Sequence, residues 1–138
     1  MTAQPVLIEI APGELIDKIT ILEIKVDNVT DSVKLRNVQV ELETLVAARD
    51  KSLPKSAELE ALARQLKEIN QELWHIEDDI RICERQQDFG HEFIALARAV
   101  YTTNDRRAAV KRQINELLGS RLIEEKEYVD YSASDQDE

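Results

Sequence analysis

Residues 59–83 read LEALARQLKEINQELWHIEDDIRIC. Leu59, Leu62, Leu66, Ile69, Leu73, Ile76, Ile80 and Cys83 follow one another at spacings of three and four without a miss. Between them lie Glu60, Arg64, Lys67, Glu68, Glu72, Glu77, Asp79 and Arg81. A 3.5-residue apolar repeat of this length keeps one stripe of a helix against a partner helix. The stretch therefore predicts a long packed helix, and Ser56 supplies its N-cap. Asp88-Phe89-Gly90 ends it at about Gln87.

Outward from this helix the same logic yields two more. Downstream, a helix is expected from about His91 to Leu118, with Phe93, Ala97, Val100, Ile114 and Leu118 near one stripe and Gly119-Ser120 as its stop. Upstream, Pro12-Gly13 opens a helix that reaches Val29 along Leu15, Ile19, Leu22 and Val26. Ile16, Ile21 and Ile24 lie off that stripe, so this helix is expected to contact two neighbours. Thr30-Asp31-Ser32 carries capping side chains, and the seam changes phase to Leu35, Val38, Leu42 and Leu45. A stutter within one nearly continuous helix to Arg49 is the favoured reading, with a new helix as the alternative. The expected fold is all-α: an elongated antiparallel bundle or coiled-coil hairpin of about three long helices, or a hairpin with a third helix across it. A short extended segment around Val6–Ile10 precedes it. Residues 1–120 are expected to form one helical domain, and 121–138 an acidic tail that is disordered at its end.

Composition agrees with long wet helices. Charged residues make up 33% of the 138, hydrophobic ones 43%, and there are only three Gly and three Pro. Net charge is −10. The last 18 residues hold seven acids against Arg121 and Lys126, which is half of it. An acidic body with 4% aromatics argues against nucleic-acid partners. No apolar run approaches the roughly 20 residues of a membrane span, and the opening lacks a basic, then apolar, leader. A soluble, cytoplasmic protein is expected.

Four stretches resemble a family of short bacterial helical proteins of uncharacterised function: PGELIDKITILEIK at 12–25, INQELWHIEDDIR at 69–81, FIALARAVYTTNDRRAAVKRQIN at 93–115 and GSRLIEEKEY at 119–128. The resemblance implies a bacterial cytoplasmic protein. It also implies relatives near, or joined to, surface-polysaccharide and glycosyltransferase machinery. It offers no catalytic residues to carry over.

The chain shows no Gly-rich phosphate loop, nucleophile elbow or zinc spacing. Cys83, the only cysteine, lies on the apolar seam, where a thiol is a small hydrophobe. No catalytic residue, metal site or cofactor is expected. Two polar features remain. Asn70, Trp74, Glu77, Arg81 and Glu84 run beside the seam and read either as a flanking ladder of ion pairs or as a cleft lining. From Arg98 to Arg112 there are five bases and one acid. These bases either pair with Asp17, Glu23 or the acidic tail, or form an anion site. The candidate ligand-binding set is Asp17, Lys18, Lys25, Arg81, Asn104, Arg106 and Lys111. Two functions follow. One is a non-enzymatic helical scaffold or interaction protein, expected to be a homo-oligomer (a homodimer above all) and linked through the resemblance to a glycosyltransferase partner. The other is a small all-helical enzyme or binding protein for a phosphate-bearing anionic ligand. Whether the charges converge on an open cavity or are spent in pairs separates them.

Overall fold

The computed structural model describes residues 1–132, and 71% of them are helical with no strand. The expected disorder at the tail's end falls on residues 133–138, outside the described residues. Among the described residues four helices follow one another: α1 (Pro12–Asn28), α2 (Ser32–Ser52), α3 (Ala57–Arg85) and α4 (His91–Leu117). Two expectations are corrected here. There are four helices where about three were expected, and the body is compact where an elongated one was expected.

The reason lies at residues 29–31. Val29 (φ −78°, ψ 125°) and Asp31 (φ −66°, ψ 126°) are extended, so the backbone leaves the helix. The Asp31 carboxylate then accepts the Lys34 N–H at 2.9 Å and starts α2. The phase change between the two stripes is thus a break and not a stutter. α2 folds back on α1 and packs against no other helix. That return shortens the molecule.

α3 begins where the Ser56 hydroxyl accepts the Leu59 N–H at 3.1 Å. It ends in a turn with Gln87 at φ +55°, where Gly90 N–H donates to the Asp88 carboxylate at 3.0 Å. α3 and α4 form the most extensive helix pair. α1 lies across this hairpin. Its start meets α4, with Gly13 beside Lys111 and Asn115, and its later turns meet α3, where Glu23 pairs with Lys67 at 3.6 Å.

The core sits at that crossing. Ile16 of α1, Leu59, Leu66 and Ile69 of α3, and Val110 and Ile114 of α4 form one buried cluster, edged by Leu53, Leu62, Ala63 and Leu118. Five of the eight seam residues of α3 are buried; Leu62, Ile76 and Ile80 are only partly covered. α2 contributes no buried side chain, and its Leu35, Val38, Leu42 and Leu45 are half-covered. No described helix is long and apolar enough to cross a membrane.

Gly13 permits the close crossing. A Cβ there would stand 2.4 Å from the Lys111 carbonyl oxygen and 2.9 Å from Asn115 Oδ1. Ala11, at the N-cap position of α1, gives no side-chain cap, so a first-turn N–H needs an acceptor from elsewhere. Asn115 provides it: its buried Oδ1 accepts the Gly13 N–H at 2.7 Å. Helix propensity alone would favour alanine at this position. Gly13→Ala is instead expected to cost about 1–3 kcal/mol, the usual cost of forcing atoms into a packed site. Urea denaturation of the two proteins checks this, and an unchanged or raised midpoint would mean that α1 does not lie so close to α4.

Candidate functional site

Three helices place polar side chains at the crossing. Asp17 and Thr20 sit one turn apart on α1 and are both buried, Asp17 at 1% exposure. Asn70 comes from the middle of α3 and Arg107 from α4. One Asp17 carboxylate oxygen accepts from Asn70 Nδ2 and from Arg107 Nε, each at 2.9 Å; the other accepts from Arg107 Nη2 at 2.5 Å. Asn70 Nδ2 also donates to the Thr20 hydroxyl at 2.9 Å, which itself donates to the Asp17 carbonyl at 2.8 Å. The two-pronged guanidinium–carboxylate contact is the strong form of such a pair. It raises the Arg107 pKa further, against the opposing effect of burial.

One turn along α4, Lys111 Nζ lies 2.7 Å from Glu14 of α1 and 3.1 Å from Glu124 of the C-terminal segment. Burial works to lower its pKa, but its hydrogen bonds to Glu14 and Glu124 outweigh that and the net shift is upward. Among the described residues no buried side-chain nitrogen or oxygen lacks a partner.

Beside this network runs a groove of about 970 Å³ between α4 and the C-terminal segment. Tyr101, Asn104, Arg107 and Lys111 line it from α4, and Tyr128 and Tyr131 from the segment. These are all three tyrosines of the chain. Tyr131 packs edge-on against Tyr101, with ring centroids 5.2 Å apart, and its hydroxyl donates to Asp105 at 2.5 Å. That bond holds the Tyr131 phenol above its ordinary pKa.

The seven candidate residues do not form one site. Asp17 bonds Arg107, and Asn104 and Lys111 line the groove together with Arg107. Lys18 is exposed and lies 3.7 Å from Glu14, one turn back. Lys25 is half-buried farther along α1 and makes no ion pair among the described residues. Arg81 is exposed near the end of α3, paired with Glu77. Arg106 faces Glu72 of α3 at 2.8 Å. The ladder reading of the α3 stripe thus describes Glu77 and Arg81, while Asn70 is buried in the crossing. The candidate set omitted Arg107, Asn70 and Thr20 of the network, and Glu14, Asn115 and the tyrosines beside it. An unusually apolar helix with an interior Asp-x-x-Thr was the available signal for Thr20.

His75 and His91 are exposed, and no three His, Cys, Asp or Glu side chains of the described residues are placed to hold a metal. Cys83 is buried, and burial, with Glu92, Asp88 and Asp79 nearby, pushes its thiol up in pKa, the reverse of what an attacking thiolate needs.

The model of a family described as "Family of unknown function (DUF6165)" matches residues 6–135. The chain belongs to that family. The matched region takes in all four helices, the network, the groove and the C-terminal segment up to residue 135. No curated protein and no solved structure matches the chain significantly.

Breaking the buried pair should be costly, because the partner left behind is a charge without a counterion. Arg107→Ala is expected to lower stability by about 3–5 kcal/mol in urea denaturation. A loss well under 1 kcal/mol would show that Asp17 is not held as described.

Glu124 gives a pH prediction. Hydrogen bonds to Lys126 first and Lys111 second lower its pKa from the ordinary 4.5. A depressed carboxylate stabilises the fold above its ordinary pKa, and the contribution disappears as pH falls through the lowered value. The pair is largely exposed, so the effect is about 1 kcal/mol at most. The stability difference between the wild type and Glu124→Gln should be present at neutral pH and be lost as pH falls below 4.5 and through the lowered value. A difference that persists in acid would contradict the assignment.

Proposed function

We propose that this chain is a non-enzymatic helical interaction protein that self-associates as a homodimer and serves a protein partner. The observation that carries the reading is that the charges of the crossing close on one another. Asp17 takes Arg107, Glu14 and Glu124 share Lys111, and Arg106 is spent on Glu72; away from the crossing, Arg81 is spent on Glu77. A binding site for an anionic substrate keeps cations uncommitted, and an enzyme keeps a reactive group accessible. Neither is present among these pairs.

Apolar surface supports the same reading. α2 has one helical neighbour, and Val33 and Val40, seven residues apart, remain 69% and 46% exposed on it. Ile82, Phe89 and Ile94 are exposed around the α3–α4 turn. Apolar residues grouped on helix faces are what helix–helix association uses. The resemblance carried by the four quoted stretches extends the proposal to a bacterial cytoplasmic setting, with a glycosyltransferase as the first partner to test.

A second reading has one observation in its favour: Arg107, Lys111 and Lys126 all line the groove. It is a site for a phosphate-bearing ligand, and it requires at least two of those cations to leave their present partners.

Light scattering at tens of micromolar protein should report about twice the 15.8 kDa chain mass, and Val40→Asp should return it to one chain with helix content unchanged. A wild-type mass of 15.8 kDa would remove the self-association. Nucleotides, sugar nucleotides and inorganic phosphate should leave the melting temperature unmoved. A salt-sensitive stabilisation that disappears in Lys111→Ala would replace this reading with the second.

A further inference from the structure

After Leu118 the chain turns at Gly119, whose φ of +63° lies in the left-handed region that glycine adopts freely, and runs back along α4. From residue 122 to 130 it has no regular structure. Its fastenings to the body are ion pairs, a hydrogen bond and one ring contact. Glu124 meets Lys111 at 3.1 Å and Glu125 meets Arg112 at 3.3 Å, so two adjacent acids answer two adjacent bases. Tyr131 bonds Asp105 and rests on Tyr101. Arg121 pairs with Glu9.

No apolar side chain of this segment is buried. Ile123, Tyr128, Val129 and Tyr131 are all exposed, Val129 at 91%. Nothing in the core depends on it, because the buried cluster and its edge residues end at Leu118. Exposed ion pairs of this kind are individually weak and are screened by salt. The segment is therefore matched to the face of α4 in charge and in aromatic contact, but it is held loosely. The family match extends through it to residue 135, so it belongs to the region that members share and is not an appendage after it.

We propose that the face of α4 from Tyr101 to Arg112, on which the segment lies, is a docking site for an extended, acidic, tyrosine-containing peptide segment of a partner protein, and that residues 121–132 cover it as a built-in competitor. The proposal rests on the interaction-protein reading and names the chemistry of the partner. Arg112 and Lys111 take the acids, and Tyr101 with Asp105 takes the tyrosine. A tethered segment acts at high effective concentration, so it wins against weak or wrongly charged peptides and yields to a tighter one. The partner's apparent affinity is reduced by the fraction of time that the segment covers this face.

The test uses the full chain and a labelled peptide of its own residues 121–132, RLIEEKEYVDYS, followed by fluorescence anisotropy. In the double variant Glu124→Lys, Glu125→Lys the segment is repelled from Lys111 and Arg112 while the α4 face is intact. This variant should bind the peptide about tenfold more tightly than the wild type, as expected for relief from an internal competitor. Added salt should weaken the binding. Arg112→Glu or Tyr101→Ala, both exposed positions, should abolish it with unchanged circular dichroism. No binding by either protein, equal binding by both, or binding that survives Arg112→Glu and Tyr101→Ala would overturn the proposal. If the wild type is a dimer that Glu124→Lys, Glu125→Lys converts to a monomer, the α4 face takes a second copy's segment and the proposal fails. Failure of the peptide experiment with the effect of Val40→Asp on mass intact removes only this site. A monomeric wild type that still shows peptide release removes only self-association.

Discussion

The Asp17–Arg107 pair is the constraint on which the arrangement of the helices depends. A carboxylate at 1% exposure is tolerable only when its hydrogen-bonding capacity is met. Asp17 meets it with one side chain from α3 and one from α4. Those bonds set where α1 crosses the α3–α4 hairpin and how it is rotated. Displacing α1 by one turn would strand Asp17 against apolar side chains and leave Arg107 without its acid. Apolar packing alone discriminates weakly between such registers, since leucine and isoleucine faces are interchangeable in kind. The buried polar set supplies a preference for one register, a role best attested where a single polar group fixes helix alignment.

Backbone proximity follows from the same crossing. With α1 pinned by Asp17, its first turn is carried onto α4, where Gly13 leaves room for the Lys111 carbonyl and Asn115 accepts the Gly13 N–H. The terminus of α1 thus has its cap supplied from a residue 102 positions away. Glu14 then falls beside Lys111. The groove is the outer border of this arrangement: Arg107 and Lys111 face the crossing on one side and the C-terminal segment on the other. Stability and any binding at the groove therefore share residues, and a ligand that draws Lys111 away from Glu14 works against the fold.

α2 stands apart from this logic. It has no buried residue and one neighbour, and its ends are fixed locally, by the Asp31 cap at the start and the bend at Leu53. It covers α1, whose Leu15, Ile19, Leu22 and Ile24 are buried although they lie outside the central cluster. An element held mainly by one interface is the natural place for a protein to add a second one.

Much of the fold was legible from residues. The seam of α3, the Ser56 cap and the stops at Asp88–Gly90 and Gly119 announced α3 and α4 almost to the residue, because helix periodicity and caps are local signals. The break at Val29–Asp31 was visible as a phase change with capping side chains, yet it was read as a stutter. Sequence periodicity measures rotation about an axis and does not show whether the axis itself turns back. The basic run of α4 was equally plain, and the acids Asp17 and the tail were recognised as its possible partners. Choosing Arg107 over Arg106 for the interior was beyond one-dimensional reasoning. The two differ by about 100° around the helix, and only the crossing of α1 decides which one faces Asp17. The sequence by itself determined four facts of kind: helical class, an apolar seam, a surplus of acid in the tail and a cluster of base in α4. Tertiary structure decided which charges meet, where α1 is capped and that a groove opens beside them. Those outcomes depend on distances between residues far apart in the chain, and no local interaction encodes such distances.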